Sequence, residues 1–163
     1  MRTMMLHIIT SPQVYKKLQA EIDLGISEGR VSSPISDAEA RKLPYLQGCI
    51  REGLRIFPPI TGMQPRISDA NGSVCGVKIP KGTNVGWSAK TVMRDTKVFG
   101  EDADLYWPDR WIVTEGVQLQ TMENTVDLVF GSARWGCLGR SISMIELNKM
   151  LVEVSVSYFD GVN

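Results

Sequence analysis

The chain has 163 residues, 43% of them hydrophobic and 22% charged, and its 18 basic residues are matched by 18 acidic ones. A chain of this size buries about 70% of its unfolded surface, and so ordinary a composition excludes a disordered tail, a collagen-like fibre and a coiled coil. With zero formal net charge there is no basic footprint for nucleic acid or for an anionic membrane surface.

Met1 to Thr10 is predicted as the tail of a buried helix. Its apolar stretch is shorter than a secretory h-region, lacks a small-residue cleavage site and falls far below the ~20 residues that span a bilayer. Ser11-Pro12 starts the next helix, Ser as N-cap and Pro at the first helical position. Val14, Leu18 and Ile22 then form one apolar stripe, ending near Gly25. After a polar loop to Pro34, Ser36-Asp37-Ala38-Glu39 is a capping box opening a short helix to about Lys42. A longer helix is predicted over Pro44 to Ile56 with Leu46, Cys49, Ile50, Leu54 and Phe57 on its apolar face, and Pro58-Pro59 ends it.

From Thr61 to Trp87 the pattern changes to short β-type runs broken by glycine. Asn71-Gly72 and Lys81-Gly82 are the turn signals, with strands expected over Val74 to Ile79 and Thr83 to Trp87. Ser88 to Arg94 is predicted helical, and Phe99 to Glu123 irregular. The last element, Gly139 to Tyr158, carries Ile142, Ile145, Leu151, Val152 and Val154 over a broad arc, the pattern of a buried helix. Ser157 to Asn163 ends just as that helix runs out, so both ends read as cut from something larger. The predicted class is mainly α with a small β-sheet.

Scarcity narrows the chemistry. One histidine, His7, and three cysteines, Cys49, Cys75 and Cys137, with no CxxC, make neither a disulfide framework nor a four-ligand zinc site. A Cys–His nucleophile pair would have to use His7. Cysteine chemistry therefore enlists a cofactor or is absent. The most informative stretch is Phe130-Gly131-Ser132-Ala133-Arg134-Trp135-Gly136-Cys137-Leu138-Gly139, a glycine-rich loop running into Cys137 just before the last helix. Helix N–H groups and the dipole stabilise a thiolate there. Flanking glycines admit a flat ligand, and Arg134 can pair with a carboxylate through its planar fork. The plain alternative is a small buried side chain at a helix start.

Glu52-Gly53-Leu54-Arg55 places a carboxylate and a guanidinium three apart, opposite the apolar stripe. On its own that is a solvated ion pair worth a few tenths of a kcal/mol. A third motif is Tyr106-Trp107-Pro108-Asp109-Arg110-Trp111.

Together these motifs resemble the C-terminal region of the cytochrome P-450 superfamily, the haem-thiolate monooxygenases. Phe-Gly-x-x-Arg-x-x-Cys-x-Gly is similar to that family's haem-binding loop. The resemblance implies that Cys137 is the axial thiolate ligand of haem iron, donating electron density that favours O–O cleavage. It implies that Arg134 contacts a haem propionate, that Phe130 shields the sulfur side of the ring, and that Gly131, Gly136 and Gly139 shape the loop. Glu52 and Arg55 resemble the family's Glu-x-x-Arg pair. Arg110, in a segment similar to Pro-Glu-Arg-Phe, would join them in a structural network locking the loop that presents Cys137. Arg66 stands where many members place a second propionate-binding arginine, the plain reading being a surface strand charge.

Two positions depart from the family pattern. Ala133 replaces a glycine, at roughly 1–2 kcal/mol if positive φ is required, and Met93, in Met93-Arg94-Asp95, replaces a histidine. The resemblance also implies a small organic substrate, an NADPH-dependent reductase as electron donor and, for full-length eukaryotic and fungal-type members, anchorage in the endoplasmic reticulum membrane facing the cytosol. Residues 1–163 are expected to be one partial domain of that fold, truncated at both ends, with no second domain and no membrane segment or address of its own. Thr3 and Thr10 lack the acid and glycine context of the oxygen-activating segment, so no catalytic residue is assigned. The alternative is a non-catalytic truncated remnant or a gene-model fragment with weak or no haem binding.

Overall fold

A computed structural model describes residues 1–159; the close expected over Asp160 to Asn163 lies outside the described residues. Four helices come first: α1 (Arg2–Thr10), α2 (Pro12–Ser27), α3 (Asp37–Ala40) and α4 (Pro44–Ile56). Ser11 is the N-cap between α1 and α2, and Pro12 takes the first helical position, where its missing N–H costs nothing. Val14, Leu18 and Ile22 are all buried. On α1 only Met4 and Ile8 are buried, while Leu6 and Ile9 are exposed, so this helix is half-covered and not sunk in a core as predicted.

The capping box forms. Ser36 Oγ accepts from the Glu39 N–H, and Glu39 Oε2 accepts from the Ser36 N–H at 2.9 Å. Helix α4 has no such local cap, since Leu43 occupies its N-cap. Its cap comes from α2 instead: Glu21 accepts the N–H of Tyr45 (2.8 Å) and of Leu46 (2.9 Å), one on each carboxylate oxygen. Burial raises the Glu21 pKa although both hydrogen bonds oppose the shift.

Helix α4 lies at the centre and packs against α1 and α2. Its crossing with α1 needs Gly53, because a Cβ there would sit 2.5 Å from Met4 Cε. Leu46, Cys49, Ile50 and Leu54 are buried as predicted. Phe57 is not: it is the C-cap residue, at φ −134° and ψ 76°, and the turn of the chain there leaves it 55% exposed.

Four short strands follow: β1 (Met63–Ile67), β2 (Gly72–Val74), β3 (Val77–Ile79) and β4 (Asn84–Ser88). They make two two-stranded antiparallel sheets, β1 with β4 and β2 with β3, where a single small sheet was expected. The predicted strand Val74 to Ile79 is instead a hairpin turning at Cys75 (φ 49°) and Gly76 (φ 79°). Two positive φ values at the centre of a two-residue loop are what a type I′ turn requires. Cysteine there is an unusual choice, which is why the sequence hides the turn. The Lys81-Gly82 signal holds, with Gly82 at φ 85°.

The remaining helices are α5 (Ala89–Val92), α6 (Thr96–Phe99), α7 (Arg110–Val113), α8 (Gly116–Asp127) and α9 (Arg140–Phe159). Two 3₁₀ turns, Leu128–Phe130 and Ala133–Trp135, precede α9. The helix α8 corrects the irregular reading of Phe99 to Glu123. It buries only Met122 and Val126 and has no side-chain N-cap, so its apolar seam is too narrow to stand out in sequence. Leu147, Leu151 and Val152 of α9 are buried, but Ile142 is 63% and Ile145 41% exposed. The helix is apolar on two sides and the fold covers one. Among the described residues no helix is long and apolar enough to cross a membrane. The architecture is mainly helical with small antiparallel sheets.

Candidate functional site

Glu52, Arg55 and Arg110 are drawn together at the centre of the molecule. Glu52 and Arg55 have no exposed surface and Arg110 only 2%, which overturns the reading of Glu52–Arg55 as a solvated pair. Helical periodicity does place Glu52 off the apolar face of α4, but the segment from Met93 to Trp111 returns over that side and seals it. Glu52 Oε1 accepts from Arg55 Nη2 (2.8 Å), the Trp107 N–H (2.8 Å) and Arg110 Nε (3.1 Å). Its Oε2 accepts from Arg55 Nε and Trp111 Nε1, both at 2.9 Å.

The guanidiniums then spend their remaining donors on backbone carbonyls. Arg55 donates to the carbonyls of Met93 (2.8 Å), Ala103 and Leu105 (2.9 Å). Arg110 donates to Phe99 O (2.6 Å) and Asp102 O (3.0 Å) and to Asp102 Oδ1 (3.1 Å). Two cations face two carboxylates and nearly every donor is used, the condition under which a buried ionic cluster is tolerated. The cluster fastens α4 to residues 93–111. Met93 joins it through its carbonyl only, while its side chain is fully buried in the core, so the contact of an imidazole there is replaced by packing.

The cysteine loop lies apart from this cluster. Gly131 (φ 72°) opens it, and a Cβ on Gly131 would meet Trp135 O at 2.4 Å. Ala133 sits at φ 48°, so the alanine does occupy a left-handed position. The Cys137 N–H donates to Phe130 O at 2.6 Å, closing the loop, and Cys137 O accepts from the Arg140 N–H at 3.3 Å. Helix α9 therefore begins three residues after the cysteine. Cys137 is exposed, Cys75 is exposed on the hairpin turn, and Cys49 is buried, where desolvation pushes its thiol up. His7 stacks on Tyr106 at 4.7 Å between ring centroids, engaged with residues 93–111.

Two predicted residues meet at the loop. Arg66, from β1, and Arg134, from the loop, lie over the Trp135 ring at 4.8 and 5.0 Å. The tryptophan is the residue that sequence reasoning passed over; it is 57% exposed, and its place next to Arg134 inside the cysteine motif is the only signal it gave. Phe130 is half-buried beneath Arg140, 5.4 Å from its guanidinium carbon, and Gly139 lies beside Cys137, with Sγ 3.8 Å from where its Cβ would be. Leu138 is fully exposed and Ile142 lies on the same run. A shallow cavity of about 370 Å³ is lined by Phe130, Gly131, Ala133, Gly136, Cys137 and Arg140 among others.

A family model described as Cytochrome P450 matches residues 1–159. The chain belongs to the cytochrome P450 family. It is 40% identical over 154 residues to the cytochrome P450 monooxygenase aba1 of Botryotinia fuckeliana, covering 94% of this chain and 30% of that protein. It is 40% identical over 159 residues to the cytochrome P450 monooxygenase abl1 of Leptosphaeria maculans, covering 97% of this chain and 28% of the relative. A cytochrome P450 monooxygenase of Alternaria alternata, ACRTS1, is 34% identical over 155 residues, which is 41% of its length. The chain thus spans about three tenths of the length of the first two. The P450 family implies a haem cofactor, an organic substrate and a redox partner.

Proposed function

We propose that this chain is the haem-binding C-terminal portion of a haem-thiolate monooxygenase and that residues 1–163 form one partial domain. The observation that carries the reading is the exposed Cys137 on a hydrogen-bonded loop, with Arg66 and Arg134 stacked on one indole beside it. Haem is a flat apolar ring with two carboxylates, and the donor set fits it: a soft thiolate ligand, two guanidiniums, and exposed apolar surface on Trp135, Leu138 and Ile142.

In this reading Cys137, as its thiolate, would hold the iron, the negative charge favoured by the N–H groups at the start of α9. Arg66 and Arg134 hold the two propionates. Gly131 and Gly136 keep side chains out of the ring's path, and Phe130 covers the sulfur. Bound haem would supply the chemistry by which O₂, with two electrons from NADPH through a reductase and two protons, gives one oxygen atom to a small organic substrate and the other to water. The Glu52, Arg55 and Arg110 cluster is structural, keeping residues 93–111 on α4. Full-length relatives of this type would act at the cytosolic face of the endoplasmic reticulum membrane.

Reconstitution with haem, reduction and addition of carbon monoxide tests the assignment. The expected result is a strongly red-shifted Soret band that Cys137→Ser abolishes. Absence of haem uptake, or uptake indifferent to Cys137, overturns it in favour of a non-catalytic remnant.

A further inference from the structure

Helix α9 carries apolar residues on both sides, Leu147, Leu151 and Val152 inward and Ile142 and Ile145 outward. Hydrophobic contact alone specifies its rotation weakly, because turning the helix exchanges one apolar set for another. Yet the rotation matters: each residue of slip along a helix is about 1.5 Å and 100°, and only Leu138 and Gly139 separate Cys137 from Arg140. The Cys137 carbonyl is itself bonded to the first turn of the helix.

One side chain breaks the degeneracy. Asn148 has no exposed surface, and both ends of its amide are used. Its Oδ1 accepts from Gln47 Nε2 of α4 at 2.9 Å, and its Nδ2 donates to Asp37 Oδ1 of α3 at 2.6 Å. Gln47 is held in turn, donating also to Ala40 O at 3.0 Å. Glu153 of α9 adds a second hold on the same region, accepting from the Ile35 N–H at 2.6 Å. A rotated α9 would carry the Asn148 amide away from Gln47 and Asp37 and leave those part-buried groups short of a partner, which is how a buried polar residue fixes register.

We propose that Asn148 is a positioning residue: by pinning α9 to Gln47 and Asp37 it sets where Cys137 stands. This rests on the haem-thiolate reading for its consequence, though not for its geometry. Asn148→Asp keeps an acceptor for Gln47 but sets a second carboxylate against Asp37. Asp37→Asn with Asn148→Asp restores both hydrogen bonds with donor and acceptor exchanged between residues 37 and 148. Asp37→Asn alone still offers an acceptor to Asn148 and serves as control.

Two readouts apply, each in a Cys75→Ser background so that Cys137 is the only exposed thiol. The first is the rate of alkylation of Cys137 by iodoacetamide in the haem-free chain. The second is the fraction of thiolate-type spectrum after reconstitution with haem and carbon monoxide. Asn148→Asp is expected to change the alkylation rate at least threefold and at least halve the thiolate-type fraction, while the double variant returns both to within a third of the parent. A folded Asn148→Asp chain matching the parent in both readouts would falsify the inference, as would a folded double variant that restores neither. If Asn148→Asp fails to fold, the double variant decides: recovery of both readouts supports the inference, and folding without recovery overturns it. A parent with no thiolate-type spectrum defeats the haem reading, and alkylation then still judges Asn148.

Discussion

Replacing Glu52 with Gln keeps the shape of the side chain and removes the anion on which two buried guanidiniums converge. Five donors meet its two oxygens in the native chain, from Arg55 (twice), Trp107, Arg110 and Trp111. A glutamine amide presents N–H groups where one oxygen stood, so at least the donors on that side lose their acceptor. Whichever oxygen remains, Arg55 keeps one hydrogen bond to it beside its backbone carbonyls but loses its only counter-charge. Arg110 keeps Asp102, whose side chain is 35% exposed and therefore a weaker counter-charge. Removing one member of a buried ion pair costs about 3–5 kcal/mol, and the surviving Asp102 argues for the lower part of that range. A fall of about 3–4 kcal/mol corresponds to roughly 6–16 °C in Tm for a chain of this length. Urea denaturation followed by circular dichroism, with thermal melts in parallel, measures it. The comparison is Asp104→Ala, which breaks the pair with Arg94 at a carboxylate 85% exposed and should cost under about 1 kcal/mol. A Glu52→Gln chain no less stable than Asp104→Ala would refute the argument that the buried cluster holds α4 to residues 93–111.

Two further expectations concern the loop and the first capping box. Ala133→Gly removes a methyl from a residue at φ 48°; relief of left-handed strain exceeds the added unfolded-state entropy, for a gain of up to about 1 kcal/mol in thermal melts, and a destabilised variant would contradict the strain. Glu39 is held at a pKa of about 2, below its ordinary 4.5, chiefly by the Ser36 N–H and then by the Ser32 and Ser36 hydroxyls. Its folded-state pKa being the lower one, this contribution is present above pH 4.5 and is lost as pH falls towards 2. Stability curves of the parent and Glu39→Gln should converge over that window, and a gap independent of pH would show that the carboxylate charge plays no part.

What could be read directly from the sequence was local or strongly patterned. The Val14, Leu18, Ile22 stripe, the capping box at Ser36, the proline starts at Pro12 and Pro44 and the glycine turn at Gly82 all formed, because each depends on neighbours within a few residues. The motif around Cys137 was equally legible, since its residue types and spacing lie in one loop, whereas the positive φ at Ala133 could only be raised as a condition and the fold decided it. The helix α8 was missed because two buried side chains leave almost no periodic signal. The Cys75-Gly76 turn was missed because cysteine seldom takes positive φ.

The burial of Glu52 and Arg55 belongs to a different class. Their three-residue spacing is compatible with open solvent and with a sealed core alike, and 40 to 60 residues further along the chain the returning segment chooses between them. The cap on α4 comes from Glu21 of another helix, the partners of Asn148 come from two others, and Arg66 reaches Trp135 from a strand. Residue type and spacing determined what each element could be and singled out Cys137 as the candidate ligand. Only tertiary packing decided which polar groups were taken out of water, because desolvation depends on what lies across the chain and not along it.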